Sequence, residues 1–348
     1  MAKVIIGTSA LPEADAGHMT DAGIGWLRHG FPYPFVERPG GELSERYVKA
    51  REGAVRRNSQ GLQLMGVTPG LGIGTMQQDE RGNYHLAWRD HYPTWMGRPA
   101  TPEFLRSYRE MCAFLADDLK GLVQMWQIAN ELEIPQFAGP LNMRQACELV
   151  IEAARGLKGT DPELIVGTNT GGSTRSYYLY GRLYADPSAP LDYCGVDQYY
   201  GTWQAGGPDT WRERLQELWD LTGLPVLINE WGYSSAGGVA PPEERDSRAP
   251  ICQTHRWRNA WGEGHSPEVQ AEYVRVAHDV FCEKRGILLG AFFYRWEDQA
   301  VCWQCGRADC PVETAWGLVD VQGNPKPAFD AFREGVRRLQ SCWESERE

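Results

Sequence analysis

Eight short apolar segments recur along this chain, and the stretches between them are polar or amphipathic. That alternation constrains the fold more than any other feature. The segments are Val4–Thr8, Ile24–Arg28, Leu62–Thr68, Val123–Asn130, Leu164–Asn169, Tyr193–Tyr199, Pro225–Glu230 and Leu288–Trp296. They are largely apolar rather than alternating, as strands buried on both faces are. Helical periodicity marks Glu45–Arg57, a helix opened by Thr101-Pro102, Arg144–Leu157, Asp209–Asp220, a helix from Ser266-Pro267 to about Lys284, and Lys326–Leu339. In the second of these, Phe104, Tyr108, Met111, Cys112 and Leu115 recur at helical spacing behind a capping threonine and a proline at the first helical position. Pro12–Asp21 is short and polar but has to bridge the first two strands. Strands joined by helices predict an α/β fold with a mainly parallel sheet.

Eight such strands can close into a (β/α)8 barrel or lie open as a doubly wound sheet. No glycine-rich dinucleotide fingerprint follows the first strand, which weakens the open sheet. The expectation is a single (β/α)8 barrel over residues 1–348, a length ordinary for a barrel with long loops. No internal repeat or linker divides it. Long stretches follow the strand C-termini: Gly30–Ser44, Pro69–Ala100, Leu132–Met143, Trp231–His265 and Glu297–Ala315. Barrel active sites are built on that face, so these loops predict a substrate cleft there.

Charge narrows the partners. Acidic residues number 46 against 35 basic, for a formal charge of −11. A phosphate backbone needs a positive surface, which argues against nucleic acid. No apolar run is long enough to span a bilayer, so no membrane partner is expected. The start, Met1-Ala2-Lys3-Val4, lacks the pattern of a secretory signal and leads to a cytoplasmic expectation, although a processed secreted form would read the same way. An acidic surface is compatible with a neutral partner such as a sugar.

Two segments carry the chemistry. Trp126-Gln127-Ile128-Ala129-Asn130-Glu131 and Val226-Leu227-Ile228-Asn229-Glu230-Trp231-Gly232 are each an apolar strand ending in a carboxylate. One Asn-Glu pair is ordinarily a helix cap or a surface ion pair. Two at the ends of buried strands can face each other across a barrel mouth. Paired carboxylates suit glycosidic cleavage, one protonating the leaving oxygen while the other attacks the anomeric carbon or activates water. A retaining enzyme sets them about 5–5.5 Å apart and an inverting one about 6.5–9.5 Å.

With those residues in view, the chain resembles the clan A glycoside hydrolases, retaining enzymes whose carboxylates end barrel strands four and seven. The likeness runs over nearly the whole chain. It implies Glu131 as general acid/base and Glu230 as nucleophile. It also implies Asn130 as the residue on the sugar 2-hydroxyl, Arg28 (in Gly25-Trp26-Leu27-Arg28) orienting the nucleophile, Tyr199 hydrogen-bonding it, and Trp296 as the floor of the sugar subsite. Trp316–Asp320 and Gly323–Ala328 are similar to the family's lead into its last helix. Where many relatives carry a histidine, this chain has Asp197, and Tyr200 competes with Tyr199 because alternation allows only one inward. The implied activity is a retaining hydrolase acting on a β-linked carbohydrate with no cofactor for catalysis. Alternatives are a transglycosylase, an inverting enzyme or another barrel hydrolase, and a non-catalytic carbohydrate-binding barrel. The last would typically have lost a carboxylate.

Other features stand apart from this site. Trp88, Trp95, Trp203 and Trp231 fall in or beside loops of the active face, where an indole can stack on a sugar ring or simply pack its loop. Nine cysteines in so long a chain do not indicate a disulfide-built scaffold, and Cys112, Cys147 and Cys282 fall in helices as small hydrophobes. Cys302, Cys305 and Cys310 form a tight group, and Cys252 or His255 could complete a structural zinc set, with disulfides or free thiols as the other possibilities.

Overall fold

A computed structural model describes residues 4–82, 84–245 and 250–344. The outermost residues of the 1–348 range, Met1–Lys3 among them, and part of the Trp231–His265 loop lie outside the described residues.

Eight parallel strands close into a barrel. They are β1 (Ile5–Thr8), β2 (Trp26–Gly30), β3 (Gln63–Val67), β4 (Val123–Gln127), β5 (Ile165–Thr168), β6 (Tyr193–Gln198), β7 (Val226–Trp231) and β8 (Leu288–Phe293). A helix follows each: α1 (Ala16–Asp21), α2 (Glu45–Ser59), α3 (Pro102–Asp118), α4 (Met143–Thr160), α5 (Thr174–Tyr184), α6 (Thr210–Thr222), α7 (Pro267–Glu283) and α8 (Pro327–Glu344). Closure comes from β1 pairing with both β2 and β8.

The helices start where capping side chains stand. The Thr101 hydroxyl accepts from the Phe104 amide at 3.3 Å, the Ser266 hydroxyl accepts from Val269 at 3.2 Å, and Asn142 and Gln145 form a reciprocal capping box. On α8, Phe329, Phe332, Val336 and Leu339 are buried, each contributing about 1.5–3 kcal/mol of apolar burial.

Side chains along each strand alternate between two layers. The barrel interior holds Ile5, Met65, Met125, Tyr193, Leu227 and Phe292. The residues between them face the helices and join the main core with Leu27, Leu64, Trp126, Val166, Val196 and Ile228. Two places up from Trp26, Met125 and Leu227 stand Arg28, Gln127 and Asn229, so on these three strands the interior turns polar toward the C-terminal mouth.

Three features depart from the expectations. The Pro69–Ala100 loop contains an antiparallel hairpin, Gly72–Gln78 with Tyr84–Asp90. Gly72 lies so close to the chain that an added Cβ would sit 1.8 Å from the Gln136 carbonyl oxygen. Helix α5 was not foreseen. Cys282 is not a lone apolar side chain but is disulfide-bonded to Cys342, joining α7 to α8 across Cα atoms 6.0 Å apart. Among the described residues, no helix is long and apolar enough to cross a membrane.

Candidate active site

The two glutamates come to the mouth by different backbone devices. On β7, Leu227 faces the interior and so does Asn229, whose amide donates to Gln127 Oε1 at 2.9 Å. Strict alternation would turn Glu230 outward and Trp231 inward. Instead the register shifts on both sides: Val196 pairs with Ile228 and Asp197 with Glu230, while Ala291 pairs with Ile228 and Phe293 with Trp231. One extra residue is accommodated, as in a bulge that re-aims a side chain. Glu230 therefore faces the mouth, and Trp231 turns into the core against Phe281, Phe293 and His278. Trp231 is thus a packing residue rather than a loop aromatic.

Strand β4 ends at Gln127, and the chain then turns through left-handed backbone at Ala129 (φ 51°) and Glu131 (φ 44°). Such conformations cost about 1–3 kcal/mol each and persist only where neighbours hold them. Here the Ala129 amide donates to Thr68 Oγ1 at 2.9 Å, the Ala129 carbonyl accepts from Gln127 Nε2 at 2.7 Å, and the Glu131 amide donates to Asn169 Oδ1 at 3.1 Å.

Arg28 from β2 joins the two glutamate segments. Its guanidinium meets Glu230 Oε1 at 2.7 Å, Gln127 Oε1 at 2.8 Å and Asn130 Oδ1 at 2.5 Å. Asn130 Nδ2 in turn donates to Glu131 Oε2 at 3.1 Å. The second oxygen of Glu230 accepts the Tyr199 hydroxyl. Tyr200 faces away, its ring edge-on to Trp211 at 5.2 Å, so Tyr199 is the inward member of the pair.

Asp197, where the resemblance expected histidine, is 1% exposed and accepts from Asn169 Nδ2. Asn169 also donates to Asn130 Oδ1 at 2.9 Å. Asp197 Oδ1 is buried without a hydrogen-bond partner. Three carboxylates thus share one buried site. Burial pushes the Glu131 carboxyl well above the usual carboxylate range, and the charges of Glu230 and Glu133 push the same way, with Arg28 and the Asn130 amide opposing. Asp197 is raised by burial and then by Glu230 and Glu131. Burial works against the Arg28 charge, but Glu230 and Asp197 outweigh it and hold the guanidinium cationic.

Trp296 is not part of this arrangement. It is 2% exposed and packs edge-on to His18 of α1 at 5.6 Å and to Phe329 of α8 at 5.9 Å. Strand β8 ends at Phe293, and beyond it the strand's alternation no longer sets which residues face the mouth. Tyr294 holds the place beside the nucleophile candidate, its ring 5.7 Å from that of Tyr199 and its hydroxyl donating to Glu313 Oε2 at 3.0 Å. Burial raises Glu313 to about 7. Of the loop tryptophans, Trp88 packs on Phe137 at 4.9 Å, Trp95 donates to the Phe35 carbonyl at 3.3 Å, and Trp203 stays 41% exposed beside Trp257.

Gln127, Asn169, Tyr294 and Glu313 were missed as site residues. A signal existed for the first two, because each is a polar residue within a segment that otherwise reads as buried strand. In combination the arrangement can hold one carboxylate on a cation and a phenol, and keep a second protonated nearby in a desolvated pocket.

No protein-family model matches the chain, and no curated protein does. Solved structures share its fold. A GH10 xylanase from Thermobacillus composti superimposes with a TM-score of 0.63 at 18% identity, covering 96% of this chain and 97% of the xylanase. Xylanase 10B from Thermotoga maritima gives 0.61 at 16% identity, over 97% and 96%. A GH2 β-galacturonidase from Eisenbergiella tayi, bound to galacturonate, gives 0.56 at 16% identity, over 97% of this chain and 51% of that one. This chain thus spans about half the length of the GH2 enzyme. The fold that these structures share with this chain is a closed (β/α)8 barrel.

Proposed function

We propose that this protein is a retaining β-glycoside hydrolase acting on a β-linked oligo- or polysaccharide, with Glu230 as nucleophile and Glu131 as general acid/base. The observation that carries the reading is the Arg28 bridge. One guanidinium spans the mouth from Glu230 to Asn130, and Asn130 holds Glu131. The fold shared with xylanases and uronidases supports the same chemistry.

In the first step a Glu230 oxygen bonds to the anomeric carbon as the glycosidic carbon–oxygen bond breaks. The Glu131 proton passes to the departing oxygen. In the second step Glu131 takes a proton from water, the water oxygen attacks the anomeric carbon, and Glu230 leaves as carboxylate. Burial raises the Glu131 carboxyl above the usual carboxylate range, the direction a general acid needs if it is to deliver a proton to the leaving group. Arg28 and Tyr199 grip both oxygens of Glu230 and orient it for attack. Asn130 fixes the Glu131 rotamer and, in this reading, holds the sugar 2-hydroxyl.

The test is the configuration of the first-formed product. Proton NMR of a β-glycoside during hydrolysis should show the β-anomer appearing before mutarotation. The α-anomer appearing first would replace this mechanism with inversion. Screening aryl β-glycosides beside soluble polysaccharides supplies the substrate for that measurement.

A further inference from the structure

The long excursions after β7 and β8 meet in a buried cluster of sulfur. Cys252 lies on the short helix Ile251–Thr254 of the first excursion, and Cys302, Cys305 and Cys310 lie on the second. All four Sγ atoms are within 4.8 Å of one another, and Cys252 and Cys302 are 4.0 Å apart. Cys302, Cys305 and Cys310 are buried, and Cys252 is half-buried. None is disulfide-bonded, whereas Cys282 and Cys342 are.

Geometry separates the possible fates of such a cluster. A disulfide requires sulfurs about 2.05 Å apart. Four thiolates around zinc, at about 2.3 Å each, form a tetrahedron with edges of about 3.8 Å. The observed spacing matches the second arrangement. The backbone is shaped for it as well. Cys302-Trp303-Gln304-Cys305 is a two-residue-spaced pair closed by Gly306, which sits at φ 74°. The Gly306 amide donates to the Cys302 carbonyl at 2.7 Å, and the Cys302 amide donates to the Arg307 carbonyl at 3.0 Å. That turn points two thiols the same way, and a residue with a Cβ would be strained at the glycine. His255, the other candidate for the fourth ligand, instead faces Asp309 at 3.5 Å.

We infer that Cys252, Cys302, Cys305 and Cys310 bind one zinc ion as a closed, structural tetrathiolate site. Four protein ligands leave no position for substrate, so the metal takes no part in bond cleavage. Its work is to join two excursions that otherwise have little regular structure. The same apolar cluster contains Tyr199 and Trp316, with Tyr294 packed against it, so the site braces the wall beside Glu230. The chain segment leaving Cys310 runs directly into Glu313, which holds the Tyr294 hydroxyl. The inference does not depend on the glycosidase reading, since it rests on these four thiols alone.

The test is metal content with spectroscopy. Purified wild-type protein should contain about one zinc per chain. Cys305→Ser and Cys252→Ser should lose it, and Cys112→Ser, a buried cysteine on α3, should keep it. Should the site variants fail to fold, wild-type protein from cobalt-supplemented cells answers instead. It should show the visible bands of a tetrahedral centre and a thiolate-to-cobalt charge-transfer band. Wild-type protein without metal, iron in place of zinc, or a disulfide mapped between any two of the four cysteines would overturn the assignment.

Discussion

Removing the Tyr199 hydroxyl isolates one contact of Glu230, the proposed nucleophile. In Tyr199→Phe the ring remains, with its edge-to-face contacts to Tyr294 at 5.7 Å and Trp316 at 4.9 Å, so the wall keeps its packing. What disappears is the O–H that donates to Glu230 Oε2, leaving that carboxylate with the Arg28 ion pair. A hydrogen bond to a charged group contributes about 1.5–3 kcal/mol. At about 1.4 kcal/mol per factor of ten, this corresponds to about a 10- to 150-fold rate effect. The two chemical steps should feel it differently. In glycosylation, loss of orientation is opposed by a more basic nucleophile. In deglycosylation, Glu230 departs as a carboxylate, and the missing donor no longer stabilises it. An activated aryl β-glycoside makes deglycosylation rate-limiting, so kcat on it should fall by about 10- to 150-fold, with circular dichroism unchanged. A kcat within about twofold of wild type would refute the placement of Tyr199 on the nucleophile.

Further perturbations address the other carboxylate. Glu131→Ala should still be glycosylated by an activated aryl glycoside and should turn over on added azide to a β-azide product, whereas Glu230→Ala should yield none; the opposite pattern would exchange the two roles. Glu131→Gln bears on stability. The folded-state pKa of Glu131 is raised, so the unfolded chain releases its proton first, and stability falls as pH rises above about 4.3 toward the folded value. The Gln variant lacks that loss and should gain melting temperature over wild type at pH 7 but not at pH 4, and an equal gain at both would contradict a buried acid there. In Gly171→Ala a new Cβ would stand 2.3 Å from Glu131 Oε1, a displaceable side-chain end, so the variant should fold and lose most of its activity. Activity at the wild-type level would mean that the Glu131 rotamer is not held there.

Much of the barrel was legible because buried parallel strands carry an unmistakable pattern. Each expected strand lies within a few residues of an observed one, and the glutamates fall at strands four and seven. What the pattern hides is departure from regularity. The β7 bulge lets Asn229 and Glu230 both face the mouth and sends Trp231 to the core, and no residue type in that stretch announces it. The misreading of Trp296 has a similar cause, since the segment Leu288–Trp296 was read as strand three residues too far, past the point where alternation stops. Helix α5 escaped notice because Ser176, Leu179, Tyr180 and Leu183 mix hydroxyls with apolar groups along its buried face. In the cysteine group the spacing of Cys302, Cys305 and Cys310 was visible, but the choice of Cys252 over His255 needed the fold of the β7 excursion.

The central claim is that Glu230 forms a covalent bond to the sugar. A panel of activated 2-deoxy-2-fluoro β-glycosides, differing in the sugar, slows the second step and lets the glycosyl-enzyme accumulate. Intact-mass analysis of an inactivated sample should show one fluorosugar per chain, and peptide mapping should place it on Glu230 in the segment Val226–Gly232. A label on Glu131 or Asp197, or steady hydrolysis of the parent glycoside with no label on any residue, would contradict the account.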